Sequence, residues 1–247
     1  LLTAKAYAEG GRALQIFCTL LLDKEHHHPD EKVRKDAGEL VALLTPIVKA
    51  FITDNGHIST NACMQVFGGH GFIKEWGMEQ FVRDNRINMI YEGTNTIQSL
   101  DLLGRKVLGN NGATLKKFGK LIGALVAEEG VNEKMAEFIN PLAMLGDQMT
   151  KFTTELGFKG MQNPDEVGAA AVDYLRVAGH LVFGYLFSRM AQVALREIAA
   201  GNTDPFYVAK LQTARFYFAK LFPETATLMR TARAGGKVLM DTEAALA

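Results

Sequence analysis

The sequence predicts an all-α protein. Apolar residues recur at spacings of three and four through most of the 247 positions, and no run alternates apolar with polar residues between turn signals as a half-buried strand would. With 48% hydrophobic and 22% charged residues, the chain can bury a sizeable core. Its 27 basic and 27 acidic residues cancel, so nothing draws it non-specifically to nucleic acid or to an anionic membrane, and the expected partner is a small molecule or another protein. The longest apolar stretch, Val177 to Phe187, is interrupted by His180 and falls short of the roughly 20 residues that cross a bilayer, so no membrane span is expected. Cys18 and Cys63 lie in apolar, helix-like surroundings without metal-ligand spacing, which argues against a disulfide framework or a zinc site and fits a cytoplasmic setting.

Taken in order, a first helix is expected over 3–22, where Leu14, Phe17, Cys18 and Leu21 share a face, ending at the polar stretch DKEHHHPD. Asp30 caps a second helix carrying Val33, Ala37, Leu40 and Leu44. Thr45 and Pro46 then supply an N-cap and an N1 proline, predicting a third helix that starts there and runs to Phe67. Asn55 and Gly56 read as a turn signal, but Phe51, Ile58, Ala62 and Phe67 keep helical spacing through them, so the helix is expected to continue. GGHGFIK at 68–74 must be a loop, because each glycine costs a helix about 1 kcal/mol. A short helix over 76–88 follows, then a tight connection at Tyr91 to Thr94, where Thr94 can cap a helix reaching Leu108. GNNG at 109–112 marks a boundary, dividing the chain into 1–110 and 111–247.

Beyond it, helices are expected at 114–128, 132–158, 165–200, 204–222 and 223–240. The stretch from Tyr174 to Phe187 is apolar nearly all round and should be central, with Lys210, Thr213, Tyr217 and Lys220 forming a polar face on a neighbour. The opening LLTAKAYAEGG has neither an initiator methionine nor a leader pattern and reads as the middle of an amphipathic helix, so the chain is expected to be a piece of a longer one.

Two loops, GGHGF at 68–72 and YEGT at 91–94, are the strongest chemical signals, and the helix between them is expected to fold one towards the other. Clustered glycines let backbone N–H groups approach phosphate oxygens, although the same residues also serve as a helix cap and a turn. Glu92, among Ile90, Tyr91 and Gly93, would gain basicity if partly desolvated; the plainer reading is an exposed loop glutamate. His26, His27 and His28 lack ligand geometry and read as a solvated connection. His70 could meet a phosphate or be an ordinary loop histidine, and His180 reads as a hydrogen-bonded core residue. An ion pair between Arg83 and Asp84 is expected to brace the Glu92 loop, and Trp76 to pack.

QVFGGHGF at 65–72, RDNR at 83–86 and IYEGTNTIQ at 90–98, with the intervals between them, resemble the C-terminal signature of the acyl-CoA dehydrogenases over residues 3–108. DPFYVAKLQTARFYFAKLFPET at 204–225 resembles the extra helical domain of the longer members, a subgroup that includes enzymes acting on medium or long fatty acyl-CoA and on 3-methylmercaptopropionyl-CoA. The resemblance implies the C-terminal helical bundle of such an enzyme followed by a second helical bundle, with no metal. It implies that Glu92 is the catalytic base and that Gly93 lies near the substrate. Gln65, Val66, Phe67, Gly68 and Gly69 would meet the adenine and pyrophosphate part of FAD bound mainly by a neighbouring subunit, while Thr94, Asn95 and Thr96 would also touch FAD.

The implied reaction is α-proton abstraction by Glu92 as hydride leaves the β-carbon for the flavin, giving a trans-2-enoyl-CoA. The developing enolate would be stabilised by the backbone N–H of Glu92 and a ribityl hydroxyl of FAD. Implied partners are an acyl-CoA, an electron-transferring flavoprotein and further copies of the chain in a dimer or tetramer. Family members also carry an N-terminal helical domain, a β-barrel and an FAD-binding arginine upstream, none of them in these residues, so the chain alone is not expected to turn over. Alternative classes are an acyl-CoA oxidase, against which YEGT and the compact second half lean, and a non-catalytic helical assembly module.

Overall fold

The computed structural model describes residues 1–242, and helices account for the regular structure throughout, with no strand among the described residues. Helix α1 (Leu2–His27) turns through Pro29 into the 36-residue α2 (Glu31–Val66) and packs along it. Asp30 caps α2 as expected, its carboxylate accepting the Lys32 N–H at 2.8 Å.

Pro46 does not start a new helix: it lies inside α2, buried, and the expected break at Thr45 is absent. The missing proline N–H forfeits one ladder bond at a typical cost of about 3 kcal/mol. Burial of Leu40, Leu43, Leu44, Ile47, Ala50 and Phe51 in unbroken helical phase across the proline outweighs it. Thr45, instead of capping, returns its hydroxyl to the Val41 carbonyl at 2.8 Å. At Asn55 and Gly56 the helix continues, as the apolar spacing predicts.

After two loops and α3 (Met78–Arg86), helix α4 (Asn95–Leu100) widens into a π-helical stretch at Asp101–Val107. A turn with Asn111 and Gly112 at positive φ then leads to α5 (Ala113–Glu129) and α6 (Ala136–Gln162). Leu102, Leu103 and Val107 before this turn share one buried cluster with Phe118 and Ile122 after it, so a single core crosses the GNNG stretch.

Helix α7 (Asp165–Ala199) is the central element. It packs against α1, α2, α4, α6, α8 (Pro205–Phe216) and α9 (Glu224–Thr231), which accounts for its nearly uniform apolarity. Two glycines allow the closest approaches. A Cβ at Gly179 would stand 2.3 Å from the Phe51 ring, and one at Gly10 would stand 2.4 Å from the Phe183 ring.

The expected polar face of α8 is only half formed. Lys210 reaches Glu9 at 2.9 Å and Lys220 is exposed, but Thr213 and Tyr217 are buried. A π-helical stretch at Tyr217–Leu221 shifts the phase, and each hydroxyl finds an internal partner, so burial costs little. The helix expected over 223–240 is likewise interrupted: Gly235 at φ 85 separates α9 and its 3₁₀ continuation from α10 (Lys237–Met240).

His180 is fully buried, and its two ring nitrogens are committed: Nε2–H donates to Glu224 at 3.3 Å, and Nδ1 accepts the Tyr217 hydroxyl at 2.8 Å. Burial pushes its pKa down, in keeping with a neutral ring. Burial alone would raise the Glu224 carboxyl, but hydrogen bonds from His180 and Arg176 outweigh it and hold the group at about 2. Arg176 grips Glu224 through two nitrogens, at 2.5 and 2.9 Å.

Two outcomes are expected. Gly179→Ala displaces Phe51 and costs about 1–3 kcal/mol, read as a lower urea midpoint at unchanged slope. Stability falls on acidification. His180, neutral in the fold, gains protons more readily when unfolded as pH drops below its ordinary value of 6.5. The contribution of Glu224 is present above 4.5 and is lost as pH falls towards about 2. Glu224→Gln should therefore flatten the part of the denaturation profile below pH 4.5 and lower stability at neutral pH.

Candidate active-site loops

Helix α2 ends at Val66, and Gly68, at φ 60, turns the chain into a 3₁₀ segment, Gly68–Phe72. Gly71 is the sterically strict position: a Cβ there would lie 2.3 Å from the Met64 carbonyl oxygen and 2.9 Å from the Phe67 Cβ. Gly68 and Gly69 are exposed, with open space where a Cβ would stand. A second 3₁₀ turn, Lys74–Trp76, ends at Gly77 with φ 70, so α3 starts two residues later than expected. Trp76 does not pack into the core. It is 54% exposed and meets the edge of its loop neighbour His70 at 5.3 Å between ring centres.

The second loop places Glu92 at φ 55 and Gly93 at φ 81. Glu92 is the more telling, because a left-handed backbone strains a residue with a Cβ. Tyr91 N–H donates to the Ile87 carbonyl at 3.1 Å, and the Gln98 side chain donates to the Glu92 carbonyl at 3.2 Å. Thr94 caps α4 as expected, accepting the Ile97 N–H at 3.4 Å. The Glu92 N–H has no acceptor among the described residues. The partial desolvation expected for Glu92 is not supplied by this chain: the strained turn points it outward, and it is exposed.

The two loops are not folded onto one another. Asn95 meets α2 at Lys49–Asp54, whereas GGHGF begins at residue 68, so about 14 residues at 1.5 Å each, roughly 20 Å, separate the two stations along α2. The Arg83–Asp84 ion pair does not form either. Adjacent residues on a helix point about 100° apart, and Asp84 instead accepts a hydrogen bond from Gln80 at 2.6 Å.

The loop is braced by Asn95, whose side chain donates to Asp54 at 2.6 Å and to Thr53 at 3.0 Å and accepts from Lys49 at 2.7 Å. Burial raises the Asp54 carboxyl against the pull of the Asn95 hydrogen bond and of the Arg176 and Lys49 charges. The sequence reading missed Lys49, Thr53 and Asp54. Their signal was a polar run, TDN at 53–55, inside an apolar helix, and only its last residue, Asn55, entered the reading, as half of a turn signal that helical spacing overrode.

Large apolar side chains are exposed throughout this region, among them Val66, Phe67, Phe72, Ile73, Trp76 and Phe81, with Phe72 at 79%. So much apolar surface in one segment marks a contact face. A separate groove of about 540 Å³, between the π-helical stretch, α5 and α6, is lined by Leu108, Leu115, Phe158 and Met161 and by no residue of either loop.

Among the described residues no group of three or more His, Cys, Asp or Glu side chains could hold a metal. Among the described residues no helix is long and apolar enough to cross a membrane. Cys18 and Cys63 are unpaired, and burial pushes the Cys18 thiol up to about 11.

An all-helical fold that carries a strained glutamate between two helices and a glycine turn at the end of a long one defines a recognisable class, and the comparisons agree with it. Residues 1–108 match the family described as "Acyl-CoA dehydrogenase, C-terminal domain", and residues 117–243 match "Acetyl-CoA dehydrogenase C-terminal like". The chain belongs to the acyl-CoA dehydrogenase family. It is 36% identical to 3-methylmercaptopropionyl-CoA dehydrogenase of Ruegeria pomeroyi, over 91% of this chain and 38% of that one. It is 30% identical to the broad-specificity linear acyl-CoA dehydrogenase FadE5 of Mycobacterium tuberculosis, over 90% of this chain and 38% of that one. The crystal structure of Caenorhabditis elegans ACDH-11 in complex with C11-CoA shares the fold, with a TM-score of 0.75 at 18% identity, covering 97% of this chain and 39% of that one. The chain therefore spans 38–39% of the length of these relatives.

Gly71→Ala is expected to open the turn after α2 without unfolding the core. Amide exchange should quicken over residues 64–76 and stay unchanged in α7.

Proposed function

We propose that this chain supplies the catalytic base of an FAD-dependent enzyme that converts an acyl-CoA thioester to a trans-2-enoyl-CoA, and that it does so as the C-terminal part of a longer polypeptide. The observation that carries the reading is Glu92, held in a strained, outward-facing turn that is tied to α2 and flanked by uncovered apolar surface. The coverage of the relatives supports the second clause. The rest of the enzyme, or a neighbouring copy, would cover the apolar face and provide the desolvation that Glu92 lacks in this chain.

Bound FAD would accept the β-hydrogen as hydride. The work assigned to this chain is proton transfer and placement. The Glu92 carboxylate takes the α-proton, and its unpaired backbone N–H donates to the thioester oxygen as negative charge develops there. Gly93, at φ 81, would lie near the substrate, and a Cβ there would stand 3.0 Å from the Gln98 amide nitrogen that holds the Glu92 carbonyl.

The backbone of Thr94, Asn95 and Thr96 would face FAD at the start of α4, the side chain of Asn95 being already committed to α2. Gln65, Val66, Phe67, Gly68 and Gly69 would meet the nucleotide end of a second FAD, held mainly by a neighbouring subunit. The roughly 20 Å along α2 between the stretch that Asn95 meets and the glycine turn supports this division, since one chain then serves two cofactors. The exposed backbone at Gly68 and Gly69 suits a close approach by phosphate. A dimer or tetramer, reoxidation by an electron-transferring flavoprotein, a cytoplasmic location and a division at residue 110 belong to the same proposal.

The test is flavin bleaching by an acyl-CoA in the FAD-loaded enzyme. Glu92→Gln should slow it about 10²–10⁴-fold at unchanged FAD content. An unaltered rate would remove Glu92 as the base and leave the helical assembly module as the better reading. The 247-residue chain alone, given FAD and substrate, should not bleach.

A further inference from the structure

The Glu92 loop projects from the body of the molecule, and its other anchors are local: the Ile87 carbonyl on one side and the Gln98 side chain on the other. Three residues beyond Glu92, Asn95 is different. A carboxamide has two donor hydrogens and one acceptor oxygen, and all are engaged by α2. Nδ2 donates to Asp54 Oδ1 at 2.6 Å and to Thr53 Oγ1 at 3.0 Å, with the Ala50 carbonyl also within 3.3 Å, and Oδ1 accepts from Lys49 Nζ at 2.7 Å. Two of these partners are charged, which makes the bonds strong for a partly buried site. All four lie between residues 49 and 54, so a single side chain fastens the start of α4 to one short stretch of α2.

That stretch is itself held from the other side. Asn55, only 1% exposed, donates to the Phe51 carbonyl at 2.8 Å and accepts from Arg176 of α7 at 3.3 Å, and Arg176 is clamped by Glu224 of α9. Helix α4 also packs directly on α7. A continuous set of hydrogen bonds and packing therefore runs from the second half of the chain, through Asp54 and Asn55, to the residue that follows the cap of α4.

We infer that Asn95 and Asp54 are positioning residues for Glu92: their hydrogen bond holds the YEGT turn against α2, at the point where α7 and Arg176 brace that helix. The inference rests on Glu92 being the base. It assigns the second half of the chain a part in the chemistry, as the backing against which the loop is set. Asn95 is thereby a residue of the loop's support, whatever its backbone meets.

The experiment compares Asn95→Ala, Asp54→Ala and Asp54→Asn in the FAD-loaded enzyme, measuring kcat, KM and FAD content, together with amide exchange over residues 90–97. A misplacement near 1 Å costs about 10²-fold in rate, so Asn95→Ala and Asp54→Ala should lower kcat by about that factor while KM changes little. Asp54→Asn keeps an oxygen for the Asn95 amide and should restore kcat to within a few-fold of the parent. Exchange should rise over 90–97 in both alanine variants and stay unchanged in α7.

Unchanged kcat in Asn95→Ala at full FAD content would overturn the inference. So would an Asp54→Asn variant as impaired as Asp54→Ala, because the hydrogen bond would then not be what matters. Should Asn95→Ala fail to fold, the Asp54 pair decides alone. An active Glu92→Gln enzyme would instead overturn the base assignment. An inactive Glu92→Gln alongside a fully active Asn95→Ala would overturn only the positioning role.

Discussion

Arg176 is a permanent cation that the fold keeps largely out of water, with 19% of its side chain exposed, and the structure around it is organised to make that tolerable. An unpaired charge in such a place would cost several kcal/mol. Glu224 answers it from α9 and Asn55 answers it from α2, while the Phe51 ring lies 5.8 Å beneath the guanidinium. Glu224 in turn satisfies His180, and His180 satisfies Tyr217. Each member leaves another stranded if removed, so the group behaves as one unit joining α2, α7, α9 and the π-helical stretch that follows α8. Its position also explains why so apolar a helix as α7 carries a histidine and an arginine one turn apart.

This constraint reaches the candidate site through α2. The helix is long enough to serve as a common axis, carrying the YEGT loop near its middle and the glycine turn at its end. Because the stations lie roughly 20 Å apart, the proposed function makes the chain a spacer between two half-sites rather than the wall of a single pocket. The exposed apolar side chains from Val66 onward, together with an exposed Glu92, form the surface that the proposed function leaves for the rest of the enzyme or a neighbouring copy to cover. A carboxylate that is to act as a base gains from being desolvated late, when substrate and the covering structure arrive.

Several features were legible in sequence because they depend on local rules. Asp30 and Thr94 cap helices whose neighbours are apolar at three- and four-residue spacing, and both do so in the structure. The nearly continuous apolarity of Tyr174 to Phe187 announced a central helix. Pro46 was misread because its local signal, a preferred first-turn residue after a threonine, is real but smaller than the burial of a helical face that continues across it. Tyr217 and Thr213 were misread because a polar label says nothing about whether an internal partner exists, and His180 and the Ala209 carbonyl were available. The Arg83–Asp84 pairing failed because Gln80, one turn earlier on the same face, takes the Asp84 carboxylate instead.

What the sequence by itself determined is the helical class, the positions of the two glycine-containing loops and the family to which their motifs belong, because periodicity, caps and short motifs are properties of neighbouring residues. Tertiary structure alone decided that the two loops stand apart along α2, that Glu92 takes a left-handed backbone, and that Asn95 is spent on Asp54, Thr53 and Lys49. The last of these depends on groups 41 to 46 residues apart in the chain coming within hydrogen-bonding distance, and no local pattern encodes such a meeting.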